Sequence, residues 1–400
     1  MRAIVLSGGG AKGSYEIGVW KAIRKLNIDY DIVTGTSVGA LNGALMVQKD
    51  YIKALFLWYN LKYDDVFKIK EDYSLEEIKK FYKDEILKGG IDVTNLEKTV
   101  KKLINKKKFF RSNIKYGLIT VRFPSLKHME MTKDNLNEDN LVDYLIASAS
   151  CFPAFKLKEI DSKLYLDGGF YDNMPINLAV KLGATEVIAV DLDEIGIKRK
   201  VKYDIDVTYI TPKNKIDSFL KFEKNSARRG IRLGYNDTMK KYGKLDGDKY
   251  TFKLNHLISN FKKYEKKFID NIDKIKMNEL ILKNITLKKI YSSKQTYYKK
   301  FNNIIEKSGY AFLIDDSYIY DIRKFNRNLI KNFNKIKINQ KQIEENLRNN
   351  KIKTLLNTTN IIKYLYYLIE NKDYKKLNKL CLLFPNEFLV ANYIKTIKGW

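Results

Sequence analysis

The sequence has 400 residues, 44% of them hydrophobic and 13% aromatic; it is too long for one ordinary hydrophobic core and too apolar for wholesale disorder. Its 75 basic and 47 acidic side chains give a formal net charge of +28, and residues 251–400 account for +18 of it, with 31 basic and 13 acidic residues. This uneven charge favours a polyanionic partner, either nucleic acid or an anionic lipid surface, and a lysine-rich solvated face is the simpler alternative.

Few features of the sequence bear on the cellular compartment. No apolar run approaches the roughly 18 residues that a membrane-spanning helix needs, and the N-terminal MRAIVLSGGG has no secretory-signal pattern. The two cysteines, Cys151 and Cys381, cannot form a disulfide framework. We therefore predict a cytoplasmic protein, with peripheral membrane association or leaderless export as the alternatives.

Short β-branched runs alternate with helical patterns through the first 250 residues. Strands are predicted at 3–7, 31–35, 116–123, 163–169, 186–193 and 207–212, and helices at 15–26, 38–47, 141–150 and 177–183. Strands that alternate with helices imply βαβ crossovers. The predicted fold class is therefore α/β, with a largely parallel sheet that is covered by helices on both faces.

Two other regions read as helical. ALFLWYNL, SLEEIKKFYKDEIL and NLEKTVKKLINKKKFF, within residues 50–112, are amphipathic patterns that predict a helical insertion, and a helix near 216–243 closes the first domain. Nineteen of the 21 glycines precede residue 250, and the strand–helix alternation stops there. We predict an α/β domain over 1–250 and a basic, mostly α-helical domain over 251–400.

The first candidate motif is the glycine loop SGGGAKG, which lies between a predicted strand and a predicted helix. Gly8, Gly9, Gly10 and Gly13 let successive main-chain N–H groups face outward beside a helix N-terminus, which suits an anion. The loop also spells GxGxxG, so a dinucleotide site is the first rival. The acidic residue that a ribose requires is missing at the end of the second strand, where GTSVG follows instead.

GTSVG is the second motif, and it predicts a nucleophile elbow. The pattern strand–GxSxG–helix describes a tight turn that projects the serine hydroxyl of Ser37 above the sheet. Side chains at Gly35 and Gly39 would collide with neighbours in such a turn. The alternative is a serine that only caps a helix.

A nucleophilic serine needs a base, and the third motif supplies a carboxylate for that role. The only imidazoles are His128, in the strand-like LKHMEM, and His256, in the second domain, and both read as structural or surface residues. Asp167 ends an apolar strand and is followed by Gly168 and Gly169. Residues just past the C-terminal ends of parallel strands share one crevice, so we expect Asp167 to face Ser37 there. An Asp-Gly turn without catalytic function is the alternative.

In their order and separations, SGGGAKG, GTSVG and DGG resemble the motifs of the patatin-like phospholipase family of lipid acyl hydrolases. The resemblance covers roughly residues 1–250 and includes the SASCFPAF stretch at 148–155. It implies that Ser37 is the nucleophile, that Asp167 is the base in place of a histidine, and that the backbone of Gly8, Gly9 and Gly10 forms the oxyanion hole. It also implies lipid ester substrates and no metal or cofactor.

Two positions in the glycine loop add detail to this resemblance. Lys12 occupies the family's basic position in the loop, where it would fix the loop or bind a phosphate. The alternative is a solvated lysine without a role in the site. Ser7 stands where many plant members of the family have aspartate, and bacterial-type relatives commonly resemble this sequence at that position.

Other interpretations remain open. In one rival interpretation, the front domain is a degenerate hydrolase in a basic membrane- or nucleic-acid-binding protein. In another, it is a dinucleotide-dependent oxidoreductase. The aromatic run from Phe56 to Tyr59 has two interpretations: it covers an acyl groove, or it belongs to the hydrophobic core. The basic domain would dock on an anionic membrane, and its tyrosines Tyr297, Tyr298, Tyr366 and Tyr367 suit either RNA or helix packing. We favour the hydrolase, docked on a membrane, and expect no nucleic-acid partner.

Overall fold

The computed structural model describes residues 1–67, 75–275, 294–348 and 358–398. The chain divides into two compact units, Met1–Lys241 and Tyr242–Trp400. The predicted position 250 thus lies a few residues inside the second unit. Ser74, the first residue of one predicted insertion helix, and residues 276–293 and 349–357 of the predicted helical domain lie outside the described residues.

The first unit is built on one mixed sheet. Its strands are β1 (Arg2–Leu6), β2 (Ile32–Thr36), β3 (Lys115–Phe123), β4 (Lys127–Thr132), β5 (Lys158–Ile160), β6 (Lys163–Asp167), β7 (Glu186–Val190) and β8 (Asp206–Ile210). Their order is β5-β6-β3-β2-β1-β7-β8, and β4 pairs with β3 off this path. The five strands β3-β2-β1-β7-β8 run parallel, which confirms the largely parallel sheet.

The strand that carries Asp167 departs from that prediction, because β6 runs antiparallel to β3. β3 pairs with β2 over its first half, up to Ile119 opposite Thr36, and with β6 over its second half, from Thr120 opposite Asp167. The hairpin strand β4 occupies the other edge of β3 along both halves. β2 and β6 therefore meet end to end along one edge of β3.

Helices cover the sheet of the first unit. They are α1 (Ser14–Lys25), α2 (Val38–Val47), α3 (Tyr51–Asn60), α4 (Leu75–Leu87), α5 (Thr94–Leu103), α6 (Lys106–Arg111), α7 (Leu141–Ser148), α8 (Ile176–Lys181) and α9 (Lys224–Lys241). Short 3-10 turns at Gly10–Gly13, Tyr63–Asp65 and Gly168–Phe170 complete the unit. Helices α3 to α6 occupy the predicted insertion.

Two predicted helices differ from those observed. The pattern over 95–110 forms two helices, because the side chain of Asn105 caps α6 by accepting a hydrogen bond from the amide of Lys108. The helix predicted near 216–243 begins only at Lys224. The preceding residues form a loop in which the main-chain oxygen of Phe219 accepts a hydrogen bond from Ala11 of the glycine loop.

Burial explains why the central strands form. Ala3, Ile4 and Val5 of β1 and Ile32 and Val33 of β2 are fully buried, as expected for parallel strands with helices on both faces. On one face α1 packs against α9, where Gly18 and Gly234 allow close approach: a Cβ atom at Gly234 would lie 2.0 Å from the Tyr15 oxygen.

The second unit is mainly helical, as predicted, with a small sheet that the sequence analysis missed. Its elements are β9 (Leu245–Asp246), β10 (Thr251–Lys253), α10 (His256–Asp273), α11 (Lys294–Ala311), β11 (Ile319–Tyr320), α12 (Ile322–Lys335), α13 (Gln340–Arg348), α14 (Thr358–Glu370), α15 (Tyr374–Leu383) and α16 (Pro385–Lys398). Of the four tyrosines for which RNA binding and helix packing were both considered, Tyr297, Tyr298 and Tyr366 pack on phenylalanine rings in this unit's core.

Among the helices that the structure describes, none combines the length and the apolar character required to cross a bilayer.

Candidate active site

Ser37 occupies the turn between β2 and α2, as the elbow motif predicts. Its backbone has φ 56° and ψ −126°, a conformation that a non-glycine residue adopts only when its surroundings enforce it. The main-chain N–H of Ser37 donates to the Ser148 hydroxyl at 3.0 Å. The turn thus stores local strain and holds the serine in one orientation.

The two glycines that flank the elbow are required by close packing. A Cβ atom at Gly35 would lie 2.3 Å from the Gly39 oxygen, and one at Gly39 would lie 2.4 Å from the Leu6 oxygen. Real Cβ atoms essentially never come within 3.0 Å of another heavy atom. A side chain at either position would open the turn and displace Ser37.

Asp167 lies buried at the end of β6 with the Ser37 hydroxyl as a hydrogen-bonding neighbour. Burial raises the pKa of Asp167 from 3.8 to about 6, and hydrogen bonds from the Gly169 amide and from Ser37 oppose part of this rise. A carboxylate with this pKa is ionised at neutral pH and is a stronger base than an exposed aspartate. The structure therefore brings the predicted nucleophile and the predicted base together.

The C-terminal end of α7 and the residues that follow it hold both members of this pair. Ser148 accepts from the Ser37 amide, and two residues later the main-chain oxygen of Ser150 accepts from the Asp167 amide at 2.9 Å. Gly168 allows the close approach, since a Cβ atom there would lie 2.3 Å from the Ile119 oxygen. The small residues of SASCFPAF thus fix the two catalytic candidates relative to each other.

The three amides predicted for the oxyanion hole are not equivalent. The Gly8 amide donates to Asn173, to its main-chain oxygen at 3.2 Å and to its side-chain oxygen at 3.1 Å. Within the described residues, the amides of Gly9 and Gly10 have no acceptor, and both residues line the cavity that contains Ser37 and Asp167. In this conformation Gly9 and Gly10 are the candidates that can receive an anion.

The glycine loop is fastened on several sides. Gly10 has φ 53°, and a Cβ atom there would lie 2.4 Å from the Phe219 oxygen, which accepts from the Ala11 amide at 2.7 Å. Lys12 forms an ion pair with Glu194 at 2.8 Å and is mostly buried. Of the roles considered for Lys12, fixing the loop is the one that matches these contacts. At the far end of the loop, a Cβ atom at Gly13 would collide with Val38 at 2.3 Å.

Sequence reasoning missed three contributors to this site. Asn173 holds Gly8, Glu194 holds Lys12, and Phe219 accepts from Ala11. The signal for Asn173 was its position six residues after Asp167, in DGGFYDNMP, before a proline. Glu194 and Phe219 lie in loops without a motif, so no sequence signal could have found them.

Within the described residues, two cavities that adjoin Ser37 are evident. One of about 590 Å³ contains Ser37, Asp167, Gly9 and Gly10. The other, of about 70 Å³, runs from Ser37 and Gly10 between α2 and the insertion helices, and apolar side chains dominate its lining: Leu41, Leu45, Leu57, Trp58, Val66, Leu96, Val100 and Ile104. Within the run from Phe56 to Tyr59, Leu57 and Trp58 therefore line this channel, whereas Phe56 is exposed.

The histidines lie in other contacts. The His128 ring stacks on Tyr171 at 3.8 Å between centroids, and His256 lies in the second unit next to Asp321. Across the described parts of the chain, no group of three His, Cys, Asp or Glu residues could hold a metal ion. Cys151 lines the larger cavity, and burial with the nearby Asp167 and Glu194 carboxylates raises the pKa of its thiol to about 12.

The fold and this arrangement define a class of protein. An α/β sheet that carries a serine on a strained strand-to-helix turn, next to a buried carboxylate, has the architecture of serine hydrolases. Residues 4–180 match the family model described as Patatin-like phospholipase. This part of the chain is therefore a patatin-like phospholipase domain.

Curated relatives carry the same domain within much longer chains. Neuropathy target esterase sws of Drosophila melanogaster is 29% identical over 205 residues, which is 47% of this chain and 13% of the relative. Patatin-like phospholipase domain-containing protein 7 of Rattus norvegicus is 26% identical over 203 residues, again 13% of its length. Among solved structures, "Crystal structure of VipD from Legionella pneumophila" matches with 15% identity and a TM-score of 0.39, covering 99% of this chain and 91% of that one.

Proposed function

We propose that this protein is a serine acyl hydrolase of the phospholipase A or lysophospholipase type, which cleaves carboxylic esters of lipids through Ser37 and Asp167. The observation that carries the proposal is the strained elbow serine beside a buried carboxylate whose pKa burial raises to about 6. The family membership of residues 4–180 supports the lipid substrate class.

In the proposed reaction, Asp167 takes the hydroxyl proton of Ser37 as its Oγ attacks the ester carbonyl. The carbonyl oxygen becomes an oxyanion that accepts hydrogen bonds from the Gly9 and Gly10 amides. The protonated Asp167 then gives its proton to the leaving alcohol, and an acyl-enzyme forms. Asp167 then takes a proton from a water that attacks the acyl-enzyme, and it returns this proton to the Ser37 Oγ as the bond between Oγ and the acyl carbon breaks and the fatty acid leaves. Each preorganised oxyanion donor contributes on the order of 3 kcal/mol to lowering the barrier.

The acyl chain has a suitable site in the narrow channel beside Ser37. Its apolar lining reaches from the elbow to the insertion helices α3 and α5, and Trp58 is held there by a hydrogen bond from its indole nitrogen to Asn42. The larger cavity, which also adjoins Ser37, has room for the glycerol and head group of a lipid. This division supports a substrate with one chain bound in the channel.

The proposal also includes the membrane on which the protein acts. The basic second unit, with the charge of residues 251–400, would attract the protein to an anionic membrane from the cytoplasmic side. A nucleic-acid partner is not proposed, because Tyr297, Tyr298 and Tyr366 are occupied in packing.

The test is covalent labelling together with hydrolysis of p-nitrophenyl butyrate. A fluorophosphonate probe should label native protein at Ser37, and Ser37→Ala and Asp167→Asn should each lose at least about a thousand-fold of the hydrolysis rate. Asp172→Asn is the matched control, because Asp172 is a second buried carboxyl group near the site. Unlabelled serine in folded native protein would favour the degenerate-domain alternative instead.

A further inference from the structure

The mouth of the larger cavity carries exposed apolar side chains. Ile195 is 95% exposed, Ile197 49% and Phe170 46%, and all three line the cavity that contains Ser37 and Asp167. Single exposed apolar residues are ordinary, but a group around a cavity marks a surface that is covered during function. These side chains belong to two neighbouring loops, so the mouth has an apolar border.

Basic residues follow the isoleucines directly. Residues 196–202 read GIKRKVK, with four basic and no acidic side chains. Lys198 pairs with Asp191, and Arg199 lies 4.2 Å from the ring centroid of Tyr171. Lys200 and Lys202 are exposed, and within the described part of the chain neither forms an ion pair with an acidic side chain. These two lysines are therefore available to an external anion.

This basic segment is hydrogen-bonded to the residues that follow Asp167. The Ile197 amide donates to the Gly169 oxygen at 2.9 Å, and the Ile197 oxygen accepts from the Asn173 amide at 2.6 Å. The Arg199 amide donates to the Asp172 carboxylate at 3.3 Å. The half-exposed Ile197 and its neighbours thus have a defined position beside the residues that follow Asp167, rather than the freedom of a loose loop.

We propose that residues 195–203, the rim segment, dock the first unit on an anionic lipid surface. Ile195 and Ile197 enter the acyl boundary, while Lys200 and Lys202 meet lipid phosphates. The inference rests on the proposed lipid hydrolase: a mouth applied to the bilayer lets a lipid pass to Ser37 without exposing its chains to water. A protein partner bound at the same border would close the cavity, which disfavours that occupant.

Binding of the full-length native chain to vesicles tests the proposal. The vesicles consist of dialkyl ether phosphatidylcholine, alone or mixed with dialkyl ether phosphatidylglycerol, and binding is measured by co-sedimentation. Ether lipids contain no carboxylic ester, so docking is measured whether or not the protein hydrolyses lipids. Ile195→Ser should weaken binding to the mixed vesicles on the order of ten-fold. Lys200→Ala/Lys202→Ala should weaken it by about ten-fold or more, with little change on neutral vesicles.

Matched variants elsewhere on the first unit serve as controls. Ile52→Ser removes an isoleucine that is 69% exposed on α3, and Lys25→Ala/Lys241→Ala removes two exposed lysines from α1 and α9. Both should bind as the native chain does. Native binding by both rim variants would assign membrane attachment to another surface and overturn the proposal, as would equal affinity of the native chain for neutral and anionic vesicles. Neither result would bear on the hydrolysis of soluble esters.

Discussion

Thr36 and Asp167 are the terminal residues of two strands that meet end to end on one edge of β3. Thr36 lies opposite Ile119, and Asp167 lies opposite Thr120, the next residue of β3. Because Ser37 directly follows Thr36, the proposed nucleophile and the proposed base are adjacent although their strands run in opposite directions. Four residues of β3 beyond Ile119 provide the edge on which β6 approaches.

The pH dependence of hydrolysis follows from the burial of Asp167. Burial raises its pKa to about 6, and only the ionised carboxylate can accept the Ser37 proton. We expect kcat/KM for p-nitrophenyl butyrate to be constant above about pH 7 and to fall about ten-fold per pH unit well below pH 6. The measurement is the rate profile at constant ionic strength.

A second group titrates in the same range and provides the control. Burial raises the pKa of Asp172 to about 6 as well, yet Asp172 has no part in the proposed reaction. Asp172→Asn should therefore keep the acid limb of the profile. Loss of that limb in Asp172→Asn would contradict its assignment to Asp167.

The stability of Asp167→Asn should depend on pH in a defined direction. The pKa of Asp167 is higher in the folded state than its ordinary value of 3.8, so the folded protein holds this proton more tightly and the native chain loses stability as pH rises from about 4 to about 6. Above both values the ionised group lowers the free energy of unfolding by about 3 kcal/mol. Asparagine carries no charge, so the variant does not lose stability in this way. The free energy of unfolding of Asp167→Asn minus that of the native chain, measured by urea unfolding, should therefore be more positive at pH 8 than at pH 4.

Asn173 should support the rate without contacting the substrate. Its side-chain oxygen accepts from the Gly8 amide, and this bond holds the loop that carries Gly9 and Gly10. We expect Asn173→Ala to lower kcat about a hundred-fold with a smaller change in KM. The free energy of unfolding should fall by about 1–3 kcal/mol. The control is Asn177→Ala, which removes an amide that bonds to the main chain of Lys200 and Lys202; an equal loss of kcat there would refute a specific role for Asn173.

The length of the acyl chain should depend on the channel. Leu57 lines it from α3 and is half-buried, so a larger side chain can be accommodated there. Leu57→Trp should lower the hydrolysis of a p-nitrophenyl decanoate by about ten-fold or more relative to the butyrate. Leu55→Trp introduces the same ring on the same helix outside the channel and should leave this ratio unchanged. An unaltered ratio in Leu57→Trp would place the chain elsewhere.

Chelators should have no effect on hydrolysis in the proposed mechanism, because Asp167 and the loop amides perform the proton transfer and the stabilisation of the oxyanion. Full activity with p-nitrophenyl butyrate is expected after dialysis against excess EDTA. A strict requirement for added calcium would contradict the mechanism.

The sequence alone determined the local geometry of the site. The elbow at Ser37 needs only a strand, two glycines and a helix within a few residues, and the steric conflict at Gly35 is with Gly39 and Ala40 of that same segment. The conflict at Gly39 is with Leu6 of β1, so it depends on the assembled sheet. The run of glycines marked the position of the loop, although its conformation depends on distant contacts such as the one between Ala11 and Phe219. Hydrophobic periodicity was sufficient for most helices and strands of the first unit. Short-range sterics act between neighbours in the chain, so their pattern can be read directly.

Only the tertiary structure decided which distant groups meet. β6 follows β2 by more than a hundred residues, and its antiparallel pairing with β3 depends on register, which the apolar pattern of KLYLD does not specify. The sequence also does not specify that Asn173 accepts a hydrogen bond from the Gly8 amide, or that Glu194 forms an ion pair with Lys12. Hydrogen bonds and ion pairs between remote loops require coordinates because no local periodicity encodes them.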